Sequence, residues 1–200
     1  YSYFQNAIVA CVLAGLVCGL AGTYIVSRRM VFLAGGMAHT CLGGVGICAL
    51  AGWPVLLGAA LFSLLTGWGV LRLGNRREVR EDSAIAMLWA FGMSVGIMCS
   101  YLAPEFLPGL SGYLFGNILL VNVVDLWALG ILAVVVAVFY LLCMPQIVAV
   151  SFDVEFAKSR KMPASLVNYL MISLVGLCIV CTLKVAGVVM VISLLSVPQM

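Results

Sequence analysis

Charged residues are scarce in this sequence, since 8% of its 200 residues are charged and 65% are hydrophobic. A soluble globular domain has roughly 25% charged and about 45–50% apolar residues, and it cannot cover this much apolar surface. The ten Lys and Arg residues form no long basic run, and the net charge is +3. The composition therefore excludes a soluble domain and predicts no nucleic-acid partner.

Catalytic side chains are equally scarce. The sequence has one histidine, His39, and seven acidic residues, which leave no serine–histidine–acid combination. It has no glycine-rich phosphate-binding motif followed by a lysine. The eight cysteines lie inside apolar stretches, where a thiol behaves as a small hydrophobic group. We predict a protein that is not an enzyme, carries no ATPase motif and binds no permanent cofactor.

Long apolar stretches are what the sequence does contain. A bilayer core requires about 20 mostly apolar helical residues per span, because no water is available there to bind the backbone amides. Seven stretches fit a span, the last of them short: residues 5–26, 31–52, 54–73, 83–102, 124–144, 163–183 and 185–200. They predict an all-α, polytopic helical membrane protein with a single transmembrane domain over residues 1–200. The last stretch ends in VPQM without a flanking charge, so we expect the chain to continue beyond Met200.

The segment between the fourth and fifth spans reads PEFLPGLSGYLFGNILLVN. Its prolines and glycines interrupt an apolar run that is too short to cross the bilayer, which predicts a short interfacial or re-entrant helix. Aromatic residues cluster around this segment, as they do at the headgroup level of a membrane. They are Tyr101, Tyr113, Phe115 and Trp127.

Basic residues are distributed unevenly among the predicted loops. Nine of the ten fall in the first, third and fifth loops: Arg28, Arg29, Arg72, Arg76, Arg77, Arg80, Lys158, Arg160 and Lys161. Lys184 is the exception, and the acids Glu105 and Asp125 lie on its side of the membrane. Because cytoplasmic loops are enriched in Lys and Arg, the pattern predicts that these three loops are cytoplasmic and that the N-terminus is outside.

His39 lies within the second predicted span, in the sequence LAGGMAHTCLGG. An ionisable group at that depth is costly and marks a functional site by default. Its neighbours Met37 and Cys41 offer soft sulfur atoms, and sulfur together with imidazole suits a transition metal. Residues two apart do not share a helix face, so a joint site of the three requires unwound backbone. Two interpretations stay open: a packed, hydrogen-bonded histidine, and a residue of a transport pathway.

The fifth loop, SFDVEFAKSRKMP, mixes apolar and charged residues. Helical periodicity places Phe152, Phe156 and Ala157 on one face. The remaining surface carries the charged residues Asp153, Glu155, Lys158 and Lys161. The pattern predicts a short amphipathic helix on the cytoplasmic surface. A lipid-facing helix and a partner-docking helix have the same pattern, so both stay open.

Five segments follow one another along the chain: FQNAIVACVLAGLVCGLAGTYIVSRRMVFLAGGMAHTCLGG, REDSAIAMLWAFGMSVGI, SGYLFGNILLVNVVDLW, SFDVEFAKSRKM and TLKVAGVVMVISLLSVPQM. Together they resemble the permease subunits of zinc, manganese and iron ABC importers, the ABC-3 family. The resemblance covers nearly the whole chain. It implies a permease bundle like that of type II ABC importers, located in a bacterial inner membrane.

The resemblance also implies partners and a mechanism. The permease pairs with a second protomer, binds two ATP-binding cassette ATPase subunits, and receives a divalent zinc, manganese or iron ion from an extracytoplasmic metal-binding protein. The segment that couples the permease to the ATPase corresponds to residues 145–162. Its coupling residues are Asp153, Glu155, Phe156, Ala157 and Lys158. The amphipathic helix then transmits nucleotide-driven closure to the spans as a mechanical element.

The sequence departs from the family pattern at one position. The family usually carries an aspartate four residues before the histidine, so that an acid and an imidazole lie one helical turn apart as metal ligands. Gly35 occupies that position here. The candidates to replace the acid are Met37, Cys41 and the His39 of a second protomer. Alternatively, the substrate is a chelated metal that brings its own ligands.

Two other functions stay open beside a permease for a divalent metal ion. A permease for a siderophore or cobalamin shares the broad architecture but generally has a larger chain. A secondary carrier driven by protons or sodium needs no ATPase. It predicts paired acidic residues at mid-membrane, which this sequence lacks.

Overall fold

The computed structural model describes residues 2–74, 80–102, 116, 118 and 121–200 and, for Ser2, Tyr3 and Lys158, the backbone alone. Over this part of the chain the structure is helical and contains no strand. The α-helices are α1 Ser2–Ser27, α2 Val31–Ala51, α3 Val55–Gly74, α4 Glu81–Leu102, α5 Val123–Phe152, α6 Val154–Ser159 and α7 Ala164–Ser196, and a 3₁₀ helix, Val197–Gln199, follows. The six α-helices other than α6 are long and apolar enough to cross a membrane, which confirms the predicted all-α multi-pass class.

Helix α2 lies at the centre of the bundle. It contacts α1, α3, α4 and α7, and 78% of its most apolar stretch is buried, against 22% for α4 and for α5. A Cβ atom at Gly44 would meet the backbone of Gly58 on α3, and one at Gly43 would meet the carbonyl oxygen of Gly92 on α4. Such close backbone approach is how membrane helices gain packing energy from small residues. The spans therefore form a tightly packed bundle around α2.

Helix α7 changes direction at Gly187, where φ is 75° and ψ is 163°. Cys18 Sγ lies 4.0 Å from Thr182 Oγ1, and Gln199 Nε2 donates a hydrogen bond to the Gly19 carbonyl oxygen at 3.3 Å. A straight helix would place residues 182 and 199 about 25 Å apart. Both residues contact adjacent positions of α1, so the chain doubles back at Gly187.

This reversal lies near the boundary between the last two predicted stretches. The sequence predicted seven spans, with a break at Lys184, whereas the described residues contain six candidate spans. The break lies at Gly187 instead, because a positive φ is without steric cost for glycine. The second arm of α7, residues 188–196, is about 13 Å long.

The two ends of the bundle differ in charge. At one end Arg28 Nη1 donates a hydrogen bond to the Val150 carbonyl oxygen at 3.1 Å, which brings the ends of α1 and α5 together. Ala10 and Val185 share a small apolar cluster towards the opposite end, near Lys184. Because successive spans run in opposite directions, the first end also collects the described basic residues of the first, third and fifth loops: Arg28, Arg29, Arg72, Arg80, Arg160 and Lys161.

Two predicted features lie outside the described residues. The interfacial or re-entrant helix between the fourth and fifth spans falls mostly on residues 103–120, of which the structure describes Gly116 and Ile118. The middle of the third loop, residues 75–79 with Arg76 and Arg77, is also outside them. Both remain predictions.

Candidate functional site

His39 lies on the side of α2 that faces α4. Its imidazole ring stacks on the indole ring of Trp89, with 4.7 Å between the ring centroids and 9° between the ring planes. Trp89 also packs against Phe32, with 5.8 Å between centroids. This aromatic contact sets the plane of the imidazole ring within the membrane-spanning region.

One nitrogen of the His39 ring has no partner among the residues that the structure describes. The Nδ1 atom is buried and makes no hydrogen bond within the described ranges, although the ring as a whole is half-buried. Leaving a buried polar atom unpaired is costly, and nearly all such atoms in proteins are satisfied by protein groups or ordered water. The structure therefore shows a histidine that packs against Trp89 and whose Nδ1 atom has no partner among the described residues.

Gly35 leaves room for a side chain one helical turn before His39. A Cβ atom built at Gly35 would lie 3.9 Å from Ile192 Cδ1, on the second arm of α7, which is an ordinary van der Waals distance. At Gly36, by contrast, a Cβ atom would come within 2.5 Å of Ile85 Cγ2. The glycine at position 35 is thus not required by close packing.

Met37 and Cys41 do not join His39 in one site. Helix α2 is uninterrupted, so residues two positions apart point to different sides. Met37 Cε faces Gly67 on α3 and Gly176 on α7, and Cys41 Sγ donates a hydrogen bond to the Met37 carbonyl oxygen at 3.1 Å. Both side chains are fully buried. In the part of the chain that the structure describes, no three His, Cys, Asp or Glu residues group as a metal site.

Ser63 is a polar residue beside Met37 and Gly176 that the sequence analysis did not identify. It is fully buried and lies within hydrogen-bonding range of the Cys41 side chain. A Cβ atom at Gly176 would lie 2.8 Å from the Ser63 Oγ atom. The sequence feature that could have indicated this site is the single serine in the apolar span α3.

A cavity of about 200 Å³ opens at the end of the bundle opposite the basic loops. Asp125, in the first turn of α5, and Lys184, on α7, line it and form an ion pair in which Nζ lies 2.7 Å from Oδ2. Sequence reasoning placed the two residues on the same side of the membrane but did not pair them. No periodic pattern connects residues 59 positions apart on two different helices.

The predicted coupling segment begins with a local hydrogen-bonding motif. Asp153 ends α5 with extended backbone, at φ −150° and ψ 106°. Its Oδ1 atom accepts hydrogen bonds from the backbone N–H groups of Glu155, at 2.9 Å, and Phe156, at 3.1 Å. These bonds satisfy two of the N–H groups that the start of a helix leaves unpaired, so Asp153 separates α5 from α6 and initiates α6.

The apolar residues of this segment point in different directions, which corrects the predicted amphipathic face. Phe152 belongs to the end of α5 and is 85% exposed, whereas Ala157 is fully buried in the core. Phe156 is 50% exposed, and the guanidinium carbon of Arg160 lies 5.5 Å from its ring centroid. Because α5 continues to Phe152, residues 145–152 of the predicted 145–162 segment are part of a long helix. Only Val154–Ser159 forms a separate short helix.

A bundle of six candidate spans, with most of its basic residues at one end and a short helix at that end, defines a multi-pass helical membrane protein. The ABC 3 transport family matches residues 1–200 of the chain. The chain belongs to this family, so the predicted resemblance is confirmed, as is a place in a bacterial membrane.

Individual relatives are similar over nearly the whole chain. It is 36% identical to an uncharacterized membrane protein of Synechocystis sp. over 198 residues, which is 99% of this chain and 70% of that protein. It is 31% identical to the manganese transport system membrane protein MntC of Halalkalibacterium halodurans, over 99% of this chain and 68% of the relative. The solved structure of PsaBC from Streptococcus pneumoniae in complex with Fab matches with a TM-score of 0.85 and 26% identity, over 99% of this chain and 71% of that chain.

Proposed function

We propose that this chain is the permease of an ATP-driven importer that carries a divalent transition metal ion, foremost Mn²⁺, into the cytoplasm. The observation that carries the proposal is the similarity over 99% of the chain to a manganese transport system membrane protein and to the PsaBC structure. Zinc and iron remain the other candidate ions. The distribution of basic residues supports the orientation, because the end with most of the arginines is the end expected in the cytoplasm.

His39 is the proposed metal-binding residue of the pathway. Imidazole is a good ligand for divalent transition metals, and Nδ1 has no partner within the described residues. Gly35 lies one helical turn before His39 and has no side chain, so each protomer contributes one strong ligand, His39, on this face of α2. Met37 and Cys41 face α3 and α7 and do not complete the site beside His39. The His39 of a second protomer or water is therefore the remaining source of ligands.

The short helix α6 is the proposed contact with separate ATPase subunits. It lies at the basic end, with Asp153 fixing its start and Phe156 half-exposed beside Arg160. Ala157 is buried against the core, so a force applied to the exposed side of α6 reaches the spans directly. Glu155 and Lys158 are the charged residues that we assign to the same contact.

A second copy of the chain and an extracytoplasmic metal-binding protein complete the proposed assembly. The spans α4 and α5 are the least buried, and they expose large apolar side chains such as Phe91, Trp127 and Leu141. Lipid covers part of this surface. A partner protomer covers another part in the proposed homodimer, and the binding protein docks at the end opposite α6.

The experiment that tests the proposal is uptake of ⁵⁴Mn²⁺ into vesicles that contain the permease, its ATPase and the binding protein. We expect uptake that requires ATP and that disappears when this subunit is omitted. Uptake that is unchanged without this subunit contradicts the proposal. Zinc and iron salts, added as competitors, rank the ions.

The absence of an acid at Gly35 favours one second candidate, a permease for chelated metal. A chelate brings its own ligands and requires no strong ligand pair from the protein. Competition separates the two: excess free Mn²⁺ suppresses uptake in the first case, and an excess of the metal chelate suppresses it in the second.

A further inference from the structure

The ion pair between Lys184 and Asp125 lies at the mouth of the cavity opposite α6. Lys184 Nζ donates to both carboxylate oxygens, at 2.9 Å to Oδ1 and 2.7 Å to Oδ2. The Lys184 side chain is 49% exposed, whereas that of Asp125 is 18% exposed. The carboxylate is thus the more buried partner of the pair.

The other described residues of the cavity wall are apolar. They come from α2, α3 and α7, and consist of Val45, Val55, Leu56, Ala59, Val180 and Leu183. Among the described residues, Asp125 and Lys184 are therefore the only charged groups that line the cavity. Because one water needs about 10–15 Å³ of such cavity space, a cavity of about 200 Å³ has room for a divalent cation with its bound waters.

The two partners differ in how firmly they are held. Asp125 lies in the first turn of α5, and its Oδ2 atom also accepts a hydrogen bond from the Asn122 backbone N–H at 3.0 Å. This contact holds the carboxylate independently of Lys184. The lysine ammonium is a compact point charge on a flexible four-carbon stem, so it can swing away without moving the helix.

We propose that Asp125 is a binding site for a divalent cation at the outer cavity and that Lys184 is its built-in competitor. In this inference, which rests on the proposed function, the ammonium group neutralises the carboxylate until a cation replaces it. Oxygen ligands suit a hard ion such as Mn²⁺, and one carboxylate with several waters binds it weakly. Weak binding is what a transient stop between the outside and His39 requires.

If Lys184 competes with a cation for Asp125, substitutions of the two residues have different expected effects from those of an ion pair that only holds α5 to α7. Removing Lys184 frees the carboxylate and strengthens cation binding, whereas neutralising Asp125 weakens it. If the pair only holds α5 to α7, both substitutions break the same contact and act in the same direction. The two single variants therefore decide between the models.

The test is a titration of the purified permease–ATPase complex with Mn²⁺ in the absence of binding protein, with free Mn²⁺ measured by EPR. A His39→Ala background removes the proposed pathway ligand. We expect Lys184→Met to tighten the remaining weak site roughly two- to fivefold, the range of an exposed ion pair. Asp125→Asn keeps an oxygen for the Asn122 N–H and is expected to weaken that site at least tenfold. Asp82→Asn, on α4 at the basic end, is the matched control.

Equal effects of Lys184→Met and Asp125→Asn, or unchanged binding in Asp125→Asn, overturn the inference. Lys184→Gln provides a second test if the methionine variant does not assemble. Vesicle uptake by the unmodified complex separates this result from the proposed function. If uptake is absent while Asp125-dependent binding persists, the proposed function is wrong and the cation site stands. If uptake is normal while Mn²⁺ binding does not depend on Asp125, the proposed function stands and the cation site is wrong.

Discussion

Replacing Gly35 with aspartate restores the acid that the family usually carries before its histidine. The structure accepts the substitution sterically, since a Cβ atom at Gly35 would be 3.9 Å from its nearest neighbour, Ile192 Cδ1. Side chains four residues apart on a helix have Cβ atoms about 5–6 Å apart, so the new carboxylate and His39 can hold one ion between them. We therefore expect the variant to gain a two-ligand metal site.

The magnitude follows from the position in the membrane. A carboxylate costs about 2.5–3.5 kcal/mol at the centre of a span, and Gly35 lies only about 6 Å from the start of α2, which suggests roughly 1–3 kcal/mol. For a chain of this size each kcal/mol lowers Tm by about 2–4 °C. Metal-free Gly35→Asp is thus expected to melt about 2–12 °C below the unmodified protein.

Added Mn²⁺ should reverse this loss. A ligand at 100 times its Kd stabilises the folded state by about 2.7 kcal/mol, which is comparable to the cost of the buried carboxylate. The assay is thermal unfolding of the detergent-purified complex with and without Mn²⁺, and Gly35→Asn is the control of equal size without charge. The same Mn²⁺-induced Tm shift in the aspartate and asparagine variants would refute the reasoning.

Two further predictions concern packing and coupling. Gly44→Ala should destabilise the bundle by about 1–3 kcal/mol, because the new Cβ meets the backbone of Gly58 and no rotamer relieves the clash. Gly15→Ala is the control in the same melting assay. Its new Cβ has no atom within 4 Å, so it should be neutral or slightly stabilising. Asp153→Ala removes the acceptor of two N–H groups at the start of α6, which costs about 1 kcal/mol. We expect the Asp153→Ala complex to hydrolyse ATP but to take up less Mn²⁺, whereas Asp82→Asn should leave both activities unchanged. Full Mn²⁺ uptake by Asp153→Ala would show that α6 does not couple ATP hydrolysis to transport.

The spans could be predicted from sequence because apolar length is a direct requirement of the bilayer. Their central packing was partly predictable as well, since paired glycines such as Gly43 and Gly92 indicate close helix contacts. The sequence predicts the break between the last two spans at the charged Lys184, three residues before Gly187, where the structure has it. A charge is the usual signal for the end of a span, but the backbone turns where glycine permits a positive φ.

The candidate site shows what a one-dimensional pattern leaves open. Helical periodicity alone indicated that Met37 and His39 point to different sides, and the structure adds which neighbours they meet, Gly67 and Trp89 respectively. The pairing of Asp125 with Lys184 depends on how two distant helices pack. No local spacing rule contains that information.

The proposed transport role of the central helix is tested most directly by ATP-driven Mn²⁺ uptake in vesicles that contain His39→Ala. The unmodified permease and the variant are compared at equal amounts of assembled complex, measured by size-exclusion chromatography. We predict that uptake falls at least tenfold while assembly is unchanged. Uptake within twofold of the unmodified protein would show that His39 only packs against Trp89 and would contradict the proposed pathway.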